Sequence, residues 1–271
     1  MSSGLLDLKR GGSPLILSIP HCGRELSPGL DERLTEEGRS LIDTDWWLER
    51  LYDFGAALDA TILSARLSRY VIDLNRDPSG ASLYPGQATT ELVASTTFDG
   101  APLYRDARTP DAAEIAERKK LYFEPYHAEL AAEIARVKAT HGMVLLYDCH
   151  SIRSVIPRLF AGELPVMNLG TNAGAACAPE LQAEIVRTLE EATAFSHVVN
   201  GRFKGGWITR HYGRPHEGVH AVQMELACRA YMQEAPPFAY DEAKAPAIRM
   251  VLLAVLMRML RWASGQGRDA R

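Results

Sequence analysis

The feature that most constrains this chain is the run Met143-Val144-Leu145-Leu146-Tyr147-Asp148-Cys149-His150-Ser151. Its five leading apolar or aromatic residues, entered through Gly142, read as a strand buried on both faces. In open α/β sheets, ligands bind at the carboxyl ends of such strands. Asp148, Cys149 and His150 therefore fall where chemistry is expected.

The rest of the pattern fits a sheet built around that strand. Residues 14–20 form a strand bracketed by Pro14 and Pro20, with His21 at its carboxyl end. Leu48, Leu51, Phe54 and Leu58 recur at helical spacing, which predicts a helix over 41–57 with Asp43 or Thr44 as its cap. Short strands are expected at 60–64 and 70–74, and a long Gly- and Pro-rich loop at 79–110, of the kind that is usually functional. The strongest helical period runs over 110–139 and is interrupted by Pro125. Extended pieces follow at 157–160 and 166–169, then a helix at 182–193, a polar loop at 209–215, a strand at 220–226 and a closing helix at 242–263. Strands alternating with helices predict an α/β fold with a mixed, largely parallel sheet.

With 271 residues, residues 1–271 are expected to form a single domain. A net charge of −4, with no basic stripe, excludes an electrostatic footprint for nucleic acid. The apolar run Val251 to Leu256 is too short to span a membrane. No basic-then-apolar leader opens the sequence, and the four cysteines show no CxxC spacing. Reduced thiols in a cytoplasmic protein are the expectation.

Candidate chemistry sits at strand ends and helix starts: His21, the Asp43-Thr44-Asp45 triplet, Asp148 with His150, and Glu225. Two imidazoles and one carboxylate are the donor composition of catalytic zinc, and such an ion activates water for amide hydrolysis. A further carboxylate must then move the proton, and Glu225 is a candidate. Each residue also has an ordinary reading, since Asp43 or Asp45 could cap a helix and Glu225 could be an edge charge. Cys149 and His150 are adjacent on a strand and point to opposite faces, which argues against a thiolate nucleophile. Arg76, Arg153, Arg158, Arg202, Arg210 and Arg214 point to a small acidic substrate, although some are expected to pair inside the protein. Gly205-Gly206 marks a close backbone approach or a positive φ.

Seven stretches in order give the chain a resemblance to the N-formylglutamate amidohydrolase family. They are Ser18–Gly23, Asp43–Trp46, Ser68–Arg76, Ser82–Gln87, Asp148–Arg153, Asn200–Pro215 and Gly218–Leu226. The resemblance implies hydrolysis of N-formyl-L-glutamate to formate and L-glutamate in histidine breakdown. It also implies a three-layer sandwich with a mixed, largely parallel sheet, similar to that of zinc carboxypeptidases. On that likeness one divalent ion, zinc by preference, is held by His21, a carboxylate and His150. Glu225 is the general base, and Asn75 and Arg76 grip a substrate carboxylate, with Arg153, Arg210 and Arg214 as further partners. The carboxypeptidase HxxE pattern is absent, since Arg24 stands where its Glu would be. Asp45 is the choice for the carboxylate ligand, with Asp43 and Glu25 as alternatives. Removal of another acyl group such as succinyl, or a non-catalytic carboxylate-binding role, are the competing readings. The sequence does not specify an oligomeric state.

Overall fold

The structure is a computed structural model and describes residues 4–269. A seven-stranded mixed sheet runs through it in the order β1-β3-β2-β4-β7-β5-β6. The strands are β1 (Leu6–Lys9), β2 (Leu15–Ile19), β3 (Thr61–Ala65), β4 (Val144–Ile152), β5 (Met167–Gly170), β6 (His197–Val199) and β7 (Val219–Ala227). β3, β2, β4 and β7 are mutually parallel, while β1 and β5 join antiparallel to β3 and β7.

Every residue of β4 is buried, as its apolar run requires. Leu145 and Tyr147 face one core with Leu17, Val222 and Met224, covered by α6 (Pro179–Glu191) and α8 (Ala245–Asp269). Val144 and Leu146 face a second core with Ile16 and Ala221, closed by α5 (Glu124–His141). Helices on both faces of the sheet make three layers, the fold expected.

Local departures have identifiable causes. Residues 70–74 are buried turns and not a strand. The carbonyls of Tyr70 and Val71 are taken by the Arg118 guanidinium instead of a ladder, and Asn75 N–H closes an Asx turn on Asp73. The 41–57 helix shrinks to α3 (Leu48–Leu51) and a 3₁₀ turn, because Trp47 sits in the left-handed region at φ 65°. Upstream lie the single-turn helices α1 (Leu30–Arg33) and α2 (Glu36–Arg39). The 110–139 helix is one run made of α4 (Ala112–Arg118), a π turn at Lys119–Phe123 and α5. Pro125, which offers no N–H, follows that turn in the first turn of α5. Residues 157–160 are turns, and the polar loop contains α7 (Trp207–Tyr212). β1 has no counterpart in the sequence reading. Among the described residues no helix is long and apolar enough to cross a membrane.

β2 has β3 on one side and β4 on the other, so the chain reverses its direction of winding there. The crevice beyond the carboxyl ends at such a reversal is where open α/β sheets bind ligands.

Candidate metal and active site

Three parallel strands deliver residues at their carboxyl ends to that crevice. His21 follows β2, His150 lies two residues before the end of β4, and Glu225 stands on β7 directly opposite His150 in the ladder. Asp45 arrives from the segment after β2, its N–H bonded to the His21 carbonyl at 3.0 Å. One donor atom from each of His21, Asp45 and His150 lies within 4.8 Å of the others, and all three residues are buried.

The orientation of both imidazoles is fixed from behind. His21 Nε2 is 2.8 Å from Asp73 Oδ1, and His150 Nε2 is 2.9 Å from Asp148 Oδ2. Their Nδ1 atoms turn inward, 3.7 Å and 3.1 Å from Asp45 Oδ2. His21 Nδ1 is buried with no hydrogen-bond partner. A buried, unpaired nitrogen facing a carboxylate and a second imidazole is costly unless something positively charged sits there. The second oxygen of Asp148 accepts from Ser18, which contacts the Tyr126 hydroxyl. Asp148, two residues before His150 and so on the same strand face, is placed to support its ring.

Asn75 completes the back wall. Ile208 N–H donates to its Oδ1 at 2.7 Å, so its amide nitrogen faces Asp148 Oδ2 at 3.1 Å and His150 Nε2 at 2.8 Å. Gly206 permits this packing, because a Cβ there would lie 2.4 Å from the Asn75 amide nitrogen. Neighbouring Gly205 takes φ 110°, so the pair supplies both the positive φ and the close approach expected.

The electrostatics favour positive charge among the donors. Burial alone would raise the Asp45 carboxyl, but the His150 and His21 imidazoles hold it below the usual carboxylate range. Asp73 is also pushed up by burial, yet Arg76, His21 and Arg69 bring it well below that range. Burial lowers the His150 pKa, while Asp148 and Asp45 outweigh burial and hold the ring well above an ordinary histidine. Glu225 moves the other way. Burial lifts its carboxyl to about 8, and Gln223 Nε2 donates to its Oε2 at 3.1 Å. Two carboxyl groups in one crevice with pKa values driven apart is the arrangement that acid–base chemistry requires.

A cavity of about 60 Å³ opens in front of these residues. His21, Asn75, Arg76, His150 and Glu225 line it, together with Arg69, Tyr84, Arg202 and Gln223. Asp45 lies behind its wall, between the imidazoles. Asp43 is instead engaged by Tyr70 and the Phe98 N–H, and Glu25 pairs with Arg66 at the surface. Of the alternatives for the carboxylate, only Asp45 stands beside the imidazoles.

The arginines divide. Arg153 pairs with Asp99, Arg210 donates to the Gly205 carbonyl, and Arg214 lies beside Glu217, and none of these three lines the cavity. The Arg214 backbone bridges Val219, at the opposite end of β7 from Glu225. The cavity residues Arg69, Tyr84 and Gln223, and Asp73 behind His21, were not singled out from the sequence. Gln223 carried a usable signal, because two places before Glu225 puts it on the same strand face. Arg69 and Asp73, an i,i+4 pair at 2.6 Å, are close in sequence but lie in a stretch that looks like a strand. Cys149 points to the opposite core, and burial pushes its thiol well up.

Relatives share this architecture over nearly the whole length. The chain is 51% identical over 258 residues to N-formylglutamate deformylase of Pseudomonas aeruginosa, covering 95% of this chain and 97% of that one. Against N-formylglutamate deformylase of Pseudomonas putida it is 46% identical, covering 95% and 96%. The crystal structure of N-formylglutamate amidohydrolase from Ralstonia eutropha JMP134 superposes with a TM-score of 0.79 at 24% identity, over 98% of this chain and all of that one (100%). A gene product of Agrobacterium tumefaciens superposes at 0.71 with 17% identity, over 95% and 94%. At those identities the two solved structures speak for the fold. The profile of the N-formylglutamate amidohydrolase family matches residues 13–232, and the chain belongs to that family.

Proposed function

We propose that this protein hydrolyses N-formyl-L-glutamate to formate and L-glutamate, as a metal-dependent, cytoplasmic step of histidine degradation. The observation that carries the reading is the inward-facing donor set His21 Nδ1, Asp45 and His150 Nδ1, with Glu225 across the ladder. The activity is the one named for two relatives at 51% and 46% identity over 95% of the chain.

The residues fit a divalent ion, with zinc preferred by two imidazoles and a carboxylate. Their Nε2 atoms face Asp73 and Asp148, the support that metal-ligating histidines generally have. Such an ion, when bound, acidifies a water and polarises the formyl oxygen. Glu225 takes the water's proton and delivers it to the departing amine nitrogen of glutamate. Gln223 orients the carboxyl, and Arg76 at the cavity wall holds a substrate carboxylate.

Formate release should be measured across N-formyl, N-acetyl and N-succinyl amino acids, alongside metal analysis before and after chelation. Rapid turnover is expected for N-formyl-L-glutamate alone, lost on chelation and restored by zinc. Full activity in protein stripped of metal removes the metal role, and preference for an N-succinyl amino acid removes the substrate.

A further inference from the structure

We propose that Arg202 is the residue that reads the side-chain carboxylate of the substrate, and so sets the preference for an acidic amino acid. This inference rests on the substrate reading given above. The other nearby arginines are either paired with carboxylates or stand outside the cavity wall, turned to carbonyls. Arg69 is bound to Asp73 at 2.6 Å and Asp45 at 3.4 Å, and Arg153 to Asp99. Arg158 is turned to the carbonyls of Thr97 and Phe98, and Arg210 to that of Gly205.

Arg202 alone combines two properties. It lines the cavity, and among the described residues it forms no ion pair. Its Nε donates to the Leu159 carbonyl at 2.8 Å and its Nη2 to the Ala88 carbonyl at 2.7 Å. Nη1 has no hydrogen-bond partner among the described residues. Carbonyls fix the plane of the guanidinium while leaving its charge uncompensated. Burial and the charge of Arg76 both disfavour the cation, which an anionic ligand would relieve. The turn bearing it is itself pinned, because Asn200 Oδ1 accepts from the N–H groups of Thr171 and Ala173.

The order of the two cavity cations follows from the chain. Arg76 adjoins Asn75, which touches His150, so it is the inner one. Arg202 comes from the turn after β6 and meets Tyr84 and Ala88 of the long loop, so it is the outer one. In an N-formyl amino acid the α-carboxylate is attached to the carbon bearing the scissile nitrogen, and the γ-carboxylate is two methylenes farther out. The α-carboxylate therefore falls to Arg76 and the γ-carboxylate to Arg202, with Leu159 and Phe203 walling the methylenes between.

The test compares N-formyl-L-glutamate with its near-isostere N-formyl-L-glutamine in wild type, Arg202→Gln and Arg202→Lys, with thermal melts as a check of folding. Arg202→Gln should lose about 10- to 100-fold in kcat/KM on the glutamate substrate, mainly through KM, as expected for one charge-assisted pair. On the glutamine substrate the loss should stay within about threefold, and Arg202→Lys should recover part of the preference. An equal loss on both substrates overturns the assignment. If wild type releases formate from neither, the substrate reading fails separately, and glutarate binding by calorimetry decides for Arg202. Binding that Arg202→Gln weakens by about 10-fold or more supports it, and binding that the variant leaves unchanged overturns it.

Discussion

Gly206→Ala is the perturbation that tests the back wall of the site most directly. Gly206 has φ −84° and ψ −161°, extended values that alanine adopts without strain, so its cost is steric. The added Cβ would stand 2.4, 2.5 and 2.6 Å from Nδ2, Cγ and Oδ1 of Asn75. Heavy atoms are comfortable at about 3.5–4.0 Å, so the Asn75 side chain has to move by about 1 Å. It has nowhere free to go, because Oδ1 is bound by Ile208 N–H and Nδ2 sits against Asp148 and His150.

Overpacking of this kind costs about 1–3 kcal/mol. Leaving the buried Ile208 N–H unpaired adds about 1–3 kcal/mol. The expected loss is thus about 2–5 kcal/mol out of a typical 5–15, enough to shift a urea transition clearly without abolishing the fold. Displacing Asn75 also disturbs the support of His150, so zinc affinity should fall about 10- to 100-fold. Gly265→Ala is the control: a Cβ there meets nothing within 4 Å, and the site is helical, so stability should rise by up to about 1 kcal/mol. A Gly206→Ala protein within about 0.5 kcal/mol of wild type, with unchanged zinc affinity, would refute this account of the wall.

Three further expectations can be checked with standard measurements. Glu225→Gln should lower turnover by about 10²- to 10⁴-fold with metal content unchanged, and rapid turnover in that variant removes Glu225 from proton transfer. Cys149→Ala should keep its turnover and lose about 1 kcal/mol of stability, and loss of activity in the folded variant would revive the thiol. Burial lowers the His127 pKa to about 4, so its neutral form fits the fold and the unfolded chain binds the proton first. The resulting penalty is absent above about pH 6.5, grows to about 3 kcal/mol as pH falls to 4, and should vanish from the pH dependence of His127→Gln unfolding.

The sheet was legible because β4 and β7 announce themselves: nine-residue strands buried throughout leave few alternatives. The helices with clear period, α5, α6 and α8, were legible for the same reason. What could not be read were segments whose backbone is satisfied by side chains. Residues 70–74 have the composition of a strand, and the distant Arg118, with the Asx turn on Asp73, explains why they are turns. The site followed the same division. His21 and His150 sit at strand ends, where position alone gives them meaning. The cavity arginines could not be sorted from the structural ones, because neutralisation depends on partners far away in sequence, as Arg153 with Asp99 shows.

Charge balance supplies an independent argument for a cation between the imidazoles. Asp45, Asp73 and Asp148 are all buried, and two guanidiniums pair with them: buried Arg69, bound to Asp45 and Asp73, and half-buried Arg76, 3.8 Å from Asp73. Three carboxylates against two guanidiniums leave the cluster one positive charge short of neutrality, if both rings are neutral. Buried charge without compensation is expensive, so the cluster must either take up protons or hold a cation. Protons can be accepted at His150, whose ring is pushed upward by Asp148 and Asp45. A divalent ion supplies the missing positive charge while leaving both rings neutral, with Nε2 donating to Asp73 and Asp148 and Nδ1 free to ligate. On that account, Asp148→Asn should weaken zinc binding even though it removes no ligand. The variant keeps the shape of the wall and deletes one of the three negative charges, so a titration showing unchanged affinity would defeat the charge argument and leave only the geometric one.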